Sequence, residues 1–320
     1  MPAPSLIRYL TTPTASPAPA HDTSGLLVGS LAFMFAALVW GMNVPVSAEL
    51  FRTFDPYWIS AVRTMVSIAV LGLMLLVPAM GGWKRSGITP VRFLVVTFSL
   101  ASFFVLYNLG LSATHPITAA AVMAGAPVYA ALTARAFGSP LARGFWGAAA
   151  MTAIGATIAV TGRSGVSTSG FGFQGGEPVL LLSFVGWNVY SILAQRWFAK
   201  DVSQLQRTFT MMIGALGWVL LAWFALYKGE HIGPPNLSPT AREIGYILLT
   251  GGLSTGLGPF VWNIGVSRLG LPIGSLWQNT VPIFAVLIAM LFGHFPNGAQ
   301  VLGGAIVIVG VGYMQWRQRR

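Results

Sequence analysis

Tyr107-Asn108-Leu109-Gly110-Leu111-Ser112 decides the fold, because the chain writes it twice. Trp262-Asn263-Ile264-Gly265-Val266-Ser267 repeats the order aromatic, Asn, apolar, Gly, apolar, Ser at an offset of 155 residues. The same offset carries Ala126-Pro127-Val128 onto Val281-Pro282-Ile283, and Ile154-Gly155 onto Val309-Gly310. Nearer the start, Asn43-Val44 falls on Asn188-Val189 at an offset of 145, and a Pro-rich insertion around 230–240 accounts for the ten-residue difference. Internal repetition governs architecture before local propensity does. One half-protein has been duplicated.

Working outward, composition sets the solvent in which these halves fold. The chain is 55% hydrophobic and 8% charged, with a mean hydropathy of +0.71; soluble domains carry about 25% charged residues. Cysteine is absent, which excludes disulfides and thiolate metal sites. The net charge of +11 does not point to nucleic acid, since Lys and Arg stand singly or in pairs between long apolar runs. This pattern is that of a polytopic membrane protein. Residues 1–24, with five prolines among Ala, Thr and Ser, read as a disordered cytoplasmic tail, neither a signal peptide nor a span.

Ten apolar segments follow, at about 25–49, 56–80, 90–113, 116–137, 144–162, 176–198, 203–227, 241–267, 272–293 and 298–316. About 20 apolar residues cross the hydrocarbon as a helix, and the runs do not alternate as barrel strands would. The expected class is therefore an all-α polytopic membrane protein. It has ten transmembrane helices as two inverted five-helix repeats, 25–162 and 176–316, joined by a linker at 163–175 and ending in a basic cytoplasmic segment at 317–320. His115 marks a short connection between the third and fourth spans.

Charge orients the bundle. With the N-terminus inside, Arg8, Lys84, Arg85, Arg92, Arg135, Arg143, Arg196, Lys200, Arg207, Arg268, Arg317, Arg319 and Arg320 are cytoplasmic. Only Arg52, Arg163, Lys228 and Arg242 lie outside, and Arg63 lies within the second span. Both termini are therefore expected in the cytoplasm. Five spans per repeat make the second copy enter the membrane from the opposite side. Such inverted repeats are a transporter architecture, with the substrate near the midplane between halves.

The Trp40-Gly41-Met42-Asn43 stretch of the first span, the paired Pro127 and Pro282 and the two five-span repeats resemble the drug/metabolite transporter superfamily of the EamA type. Within it, the chain resembles the aromatic amino acid exporters. That resemblance implies ten helices, a central cavity and export of aromatic or hydrophobic amino acids from the bacterial inner membrane. Many relatives end the fourth and ninth spans in Gly-Glu; here Gly138-Ser139 and Gly293-His294 stand instead, so no role for such glutamates is carried over.

Polar residues inside a membrane face a cavity or another helix. Asn43, Asn108, Asn188, Asn263, Gln278 and Asn279 are such residues, interleaved with Trp40, Tyr107, Tyr129, Trp187, Tyr190, Trp262 and Trp277. Amides donate and accept together, which suits a zwitterion, and aromatic faces offer stacking and cation–π contact. The expected substrate-binding set is Trp40, Asn43, Tyr107, Tyr129, Trp187, Asn188, Tyr190, Trp277, Gln278 and Asn279, with a purely interhelical role equally open for Asn43 and Asn188. Asn108 and Asn263, near helix ends beside glycine, read instead as interhelical bonds. Trp58, Trp83, Trp197 and Trp316 read as interfacial belt residues.

Pro127 and Pro282 read as mid-helix prolines that each remove a helical hydrogen bond, as a symmetry-related pair of hinges or, alternatively, as static kinks. For Arg63, snorkelling to the outer surface and attraction of a carboxylate into the cavity are both open. No acid lies mid-membrane, which disfavours the proton-exchange mechanism of cationic drug exporters. No nucleotide loop, metal-spaced His cluster or nucleophile with a base is present, so no cofactor, metal or catalytic set is expected. An intramembrane enzyme is disfavoured for the same reason. Export of other amphipathic metabolites or drugs is the alternative within transport. The partners expected are a small-molecule substrate and the lipid bilayer, with no nucleic acid.

Overall fold

The computed structural model describes residues 23–80, 82–113, 122–161, 175–290 and 295–318, and every regular element among them is helical. The tail at 1–22, most of the linker, His115, Gly293-His294 and the entry to the fourth span lie outside the described residues.

The helices are α1 (Thr23–Leu50), α2 (Pro56–Leu75), α3 (Pro90–Ser112), α4 (Ala126–Ala136), α5 (Phe145–Thr161), α6 (Glu177–Arg196) and α7 (Gln204–Lys228). They are followed by α8 (Ala241–Leu269), α9 (Leu271–Gln278), α10 (Val281–Met290) and α11 (Gly298–Gln318). Among the described residues, eight helical stretches are long and apolar enough to cross a membrane, and α5 contributes a shorter apolar helix.

Local chemistry sets the helix starts. Asp55 accepts from the backbone of Tyr57 (3.0 Å) and Trp58 (2.9 Å) at the head of α2. Ser203 caps α7, and Thr240 with Glu243 forms a capping box on α8. Pro127 and Pro282 stand in the first turns of α4 and α10, rather than within continuous helices. Each follows a break, a turn at Gly125 and another after Gln278, so the missing proline N–H falls where a helix start has none to satisfy. Within α8, Thr250–Leu257 is wound as a π-segment. The stretch 155 residues earlier, 95–102, is ordinary α-helix in α3.

Packing follows the sequence offset. Asn108 of α3 donates to Ser60 Oγ of α2 (3.3 Å), and Asn263 of α8 donates to Thr208 Oγ1 of α7 (3.0 Å). A Cβ on Gly110 would come within 2.7 Å of the Leu180 backbone nitrogen in α6. One on Gly265 would come within 2.5 Å of the Phe33 ring in α1. Gly155 of α5 lies against the backbone of Gly303 and Val307, while Gly310 of α11 lies against Ala148, Met151 and Thr152. Each of Gly303, Val307 and Gly310 is 155 residues beyond Ala148, Thr152 and Gly155. Their pairing order makes α5 and α11 antiparallel. Small residues at such crossings let helices approach closely enough for dispersion and packing to hold them in lipid.

Candidate functional site

A ladder of aromatic rings runs through the middle of the bundle, built by helical periodicity. Phe184, Trp187 and Tyr190 lie three residues apart, so α6 presents them along one stripe; Phe103 and Tyr107 do the same on α3, and Phe33 and Trp40 on α1. At the centre, Trp40 of α1, Trp187 of α6 and Trp262 of α8 form a triangle. Their centroids stand 5.5 Å (Trp40–Trp187), 5.5 Å (Trp40–Trp262) and 5.6 Å (Trp187–Trp262) apart. Phe33 (5.0 Å from Trp262) and Tyr190 (5.2 Å from Trp187) extend it on one side. On the other, Phe103 joins Trp187 (5.1 Å) to Tyr107 (5.4 Å), and Phe184 joins Tyr107 (6.2 Å) to Tyr129 (6.4 Å). Pairs at these separations contribute about 0.5–1.5 kcal/mol each beyond burial. Phe33, Phe184, Trp187, Tyr190 and Trp262 are buried, while Trp40, Phe103, Tyr107 and Tyr129 keep part of their surface accessible.

The three indole N–H groups differ in what they meet. Trp40 Nε1 donates to the Ser254 carbonyl of the π-segment (3.1 Å), and Ser254 Oγ donates back to the Val39 carbonyl (2.7 Å). Trp262 Nε1 donates to Ser191 Oγ (3.0 Å). Trp187 Nε1 is sealed from solvent and has no hydrogen-bond partner among the described residues. An unpaired buried donor is costly, and here it points within a cluster of aromatic faces.

Beside the ladder, Asn263 holds its position by donating to Tyr190 Oη (2.8 Å) as well as to Thr208. The hydroxyl of Tyr190 is therefore engaged. Asn279 donates to the Ala124 carbonyl (3.2 Å), a residue 155 positions away across the breaks that precede α4 and α10. Towards the α1–α2 turn, Arg63 donates to Asn43 Oδ1 (2.6 Å) and to Ser47 Oγ (3.1 Å), and Ser47 donates to Asn43 as well (3.0 Å). The guanidinium thus reaches from α2 to α1 rather than running out along its own helix.

Of the residues expected at a site, Trp40, Tyr107, Tyr129, Trp187 and Tyr190 share the ring ladder. Asn43 joins Arg63 instead, and Asn279 spans the helix breaks. Asn188 is buried, Gln278 half-buried. Trp277 is not ring-paired with the ladder among the described residues; its Nε1 is buried without a partner. Trp197, expected at the interface, is 8% exposed and lies under the Arg92 guanidinium at 5.7 Å. Its position at the end of α6, between α3 and the turn into α7, encloses it. Trp83, by contrast, is 65% exposed.

Phe33, Phe103 and Phe184 were not flagged by their sequence. A phenylalanine in an apolar run carries no signal until its partners are known. Two concave spaces lie away from the ladder. One of about 530 Å³ is lined by residues including Asp55, Tyr57, Asn108 and His231, and one of about 580 Å³ opens at Tyr227 to Gly233. Both sit at the bundle end carrying the α1–α2 and α7–α8 turns. They are open surface features, and the ladder has the more specific chemistry.

Comparison with known proteins places this arrangement. The model of the EamA-like transporter family matches the chain twice, over residues 27–161 and 174–315. From Bacillus subtilis (strain 168), the uncharacterized transporter YyaM is 27% identical over 268 residues, covering 81% of this chain and 84% of that protein. The uncharacterized transporter YrdR of the same organism is 26% identical over 305 residues, covering 89% and 90% respectively. A solved crystal structure shares the fold at a TM-score of 0.74 and 21% identity, over 93% of this chain and 98% of that one.

Proposed function

The chain belongs to the EamA-like transporter family, a membrane protein among transporters, and on that footing we propose that it is a secondary exporter of aromatic or hydrophobic amino acids. It works by alternating access across ten helices arranged as two inverted five-helix repeats, 25–162 and 176–316. Two observations support the repeat reading: the family model fits each half separately, and packing contacts recur under the 155-residue offset. The antiparallel α5–α11 pairing is what a two-fold axis in the membrane plane requires. The excess of Lys and Arg on one side supports a bacterial inner-membrane location with both termini cytoplasmic.

The observation that carries the substrate class is the indole triangle, contributed by α1 from the first half and by α6 and α8 from the second. Rocking one half against the other separates these rings and opens flat apolar walls at the midplane. An aromatic side chain then replaces one ring–ring contact with another. Trp40, Tyr107, Tyr129, Trp187, Asn188, Tyr190, Trp277, Gln278 and Asn279 are the lining we assign. The breaks before Pro127 and Pro282 provide the paired hinges. The outward direction rests on resemblance, since a carrier runs either way.

Uptake of labelled L-phenylalanine and L-tryptophan into proteoliposomes tests the reading. Saturable uptake is expected, with Trp187→Ala lowering it about tenfold or more, equivalent to about 1.4 kcal/mol, while the variant still elutes as a folded species. Uptake no greater than that of empty liposomes for both amino acids would overturn the substrate class.

A further inference from the structure

Arg63 is a cation inside the bundle whose charge the described chain leaves uncompensated. Ion pairs join Arg52 to Glu49 at the end of α1, and Lys84 of the α2–α3 connection to Asp201 of the α6–α7 turn. The acids nearest in sequence are occupied: Glu49 by Arg52, and Asp55 by the backbone at the head of α2. Glu243, across on α8, accepts from Thr53 and Thr240. Arg63 itself spends two donors on the neutral oxygens of Asn43 and Ser47, and its Nε is sealed from solvent with no partner. A glycine, Gly251, lets the π-segment of α8 come up against the Arg63 backbone, where a Cβ would stand 3.1 Å from the carbonyl oxygen.

A guanidinium has five donors in a planar fork matched to carboxylates. Two hydrogen bonds to neutral groups orient it without neutralising it. A cation held so in a low-dielectric interior is costly unless an anion joins it. Asn43 lies one helical turn from Trp40, which puts this fork at the outer edge of the indole triangle.

We propose that Arg63, oriented by Asn43 and Ser47, is the carboxylate-binding subsite of the transported molecule. This rests on the transporter reading and adds a charge requirement to it. Substrates carry a carboxylate, with the aromatic body directed at the ladder. Amides and esters of the same compounds, which carry no carboxylate, are refused.

The test is thermal unfolding of the detergent-purified protein with L-phenylalanine, L-phenylalaninamide and benzoate. The wild type is expected to be stabilised by phenylalanine and benzoate, and not by the amide. Arg63→Gln is expected to lose the response or need about tenfold more ligand. Asn43→Asp keeps the shape of the site and places a carboxylate on the fork. It is expected to melt higher without ligand and to ignore both anions, so the outcome does not depend on whether Arg63→Gln folds. Stabilisation by benzoate but not phenylalanine keeps the subsite and removes the amino acid reading. Equal stabilisation by phenylalanine and its amide, an unchanged benzoate response in Asn43→Asp, or no response of the wild type to either anion, would overturn the proposal.

Discussion

Asn263 ties α8 to α6 and α7 through one amide. It is fully buried and bonds Tyr190 and Thr208 with its amide nitrogen, and Gln195 comes within 3.5 Å of its oxygen. Asn263→Ala takes the partner from the buried Tyr190 hydroxyl of α6 and one of two from Thr208 of α7, which still donates to the Gln204 carbonyl. We expect a loss of about 1–3 kcal/mol, read as a fall in melting temperature in detergent. Asn108→Ala, at the matched position but with 3.3 Å contacts to Pro56 and Ser60, is expected to cost about 0.6 kcal/mol. At this scale the sequence was legible where polarity is conspicuous. An asparagine in an apolar run announces a partner, and the offset of 155 announces that it has a counterpart. It does not name the partner: Tyr190 is 73 residues from Asn263 and enters through a different helix. Arg63 shows the same limit, since only the α1–α2 geometry decides between reaching outward and reaching across.

Between helices, glycine positions determine how near two backbones come. Gly155 faces backbone atoms of α11 at 2.6–2.8 Å from where its Cβ would be, and backbone cannot swing aside as a side chain does. Gly155→Val should therefore force α5 and α11 apart and destabilise the protein by about 1–3 kcal/mol or more. Gly217→Val meets nothing within 4 Å and isolates the cost of the substitution itself. Comparing their melting temperatures checks the pair. Helix existence was readable from run length, while the breaks before α4 and α10 were not. Proline marks them, but it is equally at home in a kinked continuous helix, and only the turns at Gly125 and after Gln278 distinguish the two. The π-segment of α8 holds Gly251, Gly252 and Gly256, whereas its α3 counterpart at 95–102 has no glycine and winds as α-helix; the glycines were readable, the change of winding was not.

For the molecule as a whole, the central claim is that the second half is the first half turned over in the membrane. The residue pairs that recur under one offset, the antiparallel α5–α11 contact and the one-sided basic charge all follow from it. Because the chain has no cysteine, single-cysteine variants report one site each. Ala113, just past the end of α3, and Arg268, near the end of α8, are matched by the 155-residue offset and are both exposed. The decisive measurement labels Ala113→Cys and Arg268→Cys with a membrane-impermeant maleimide, in intact cells and in permeabilised cells. The account predicts that Ala113→Cys reacts in intact cells and Arg268→Cys only after permeabilisation. Reaction of both from the same side would contradict the inverted repeat, and with it the two-sided mechanism built on it.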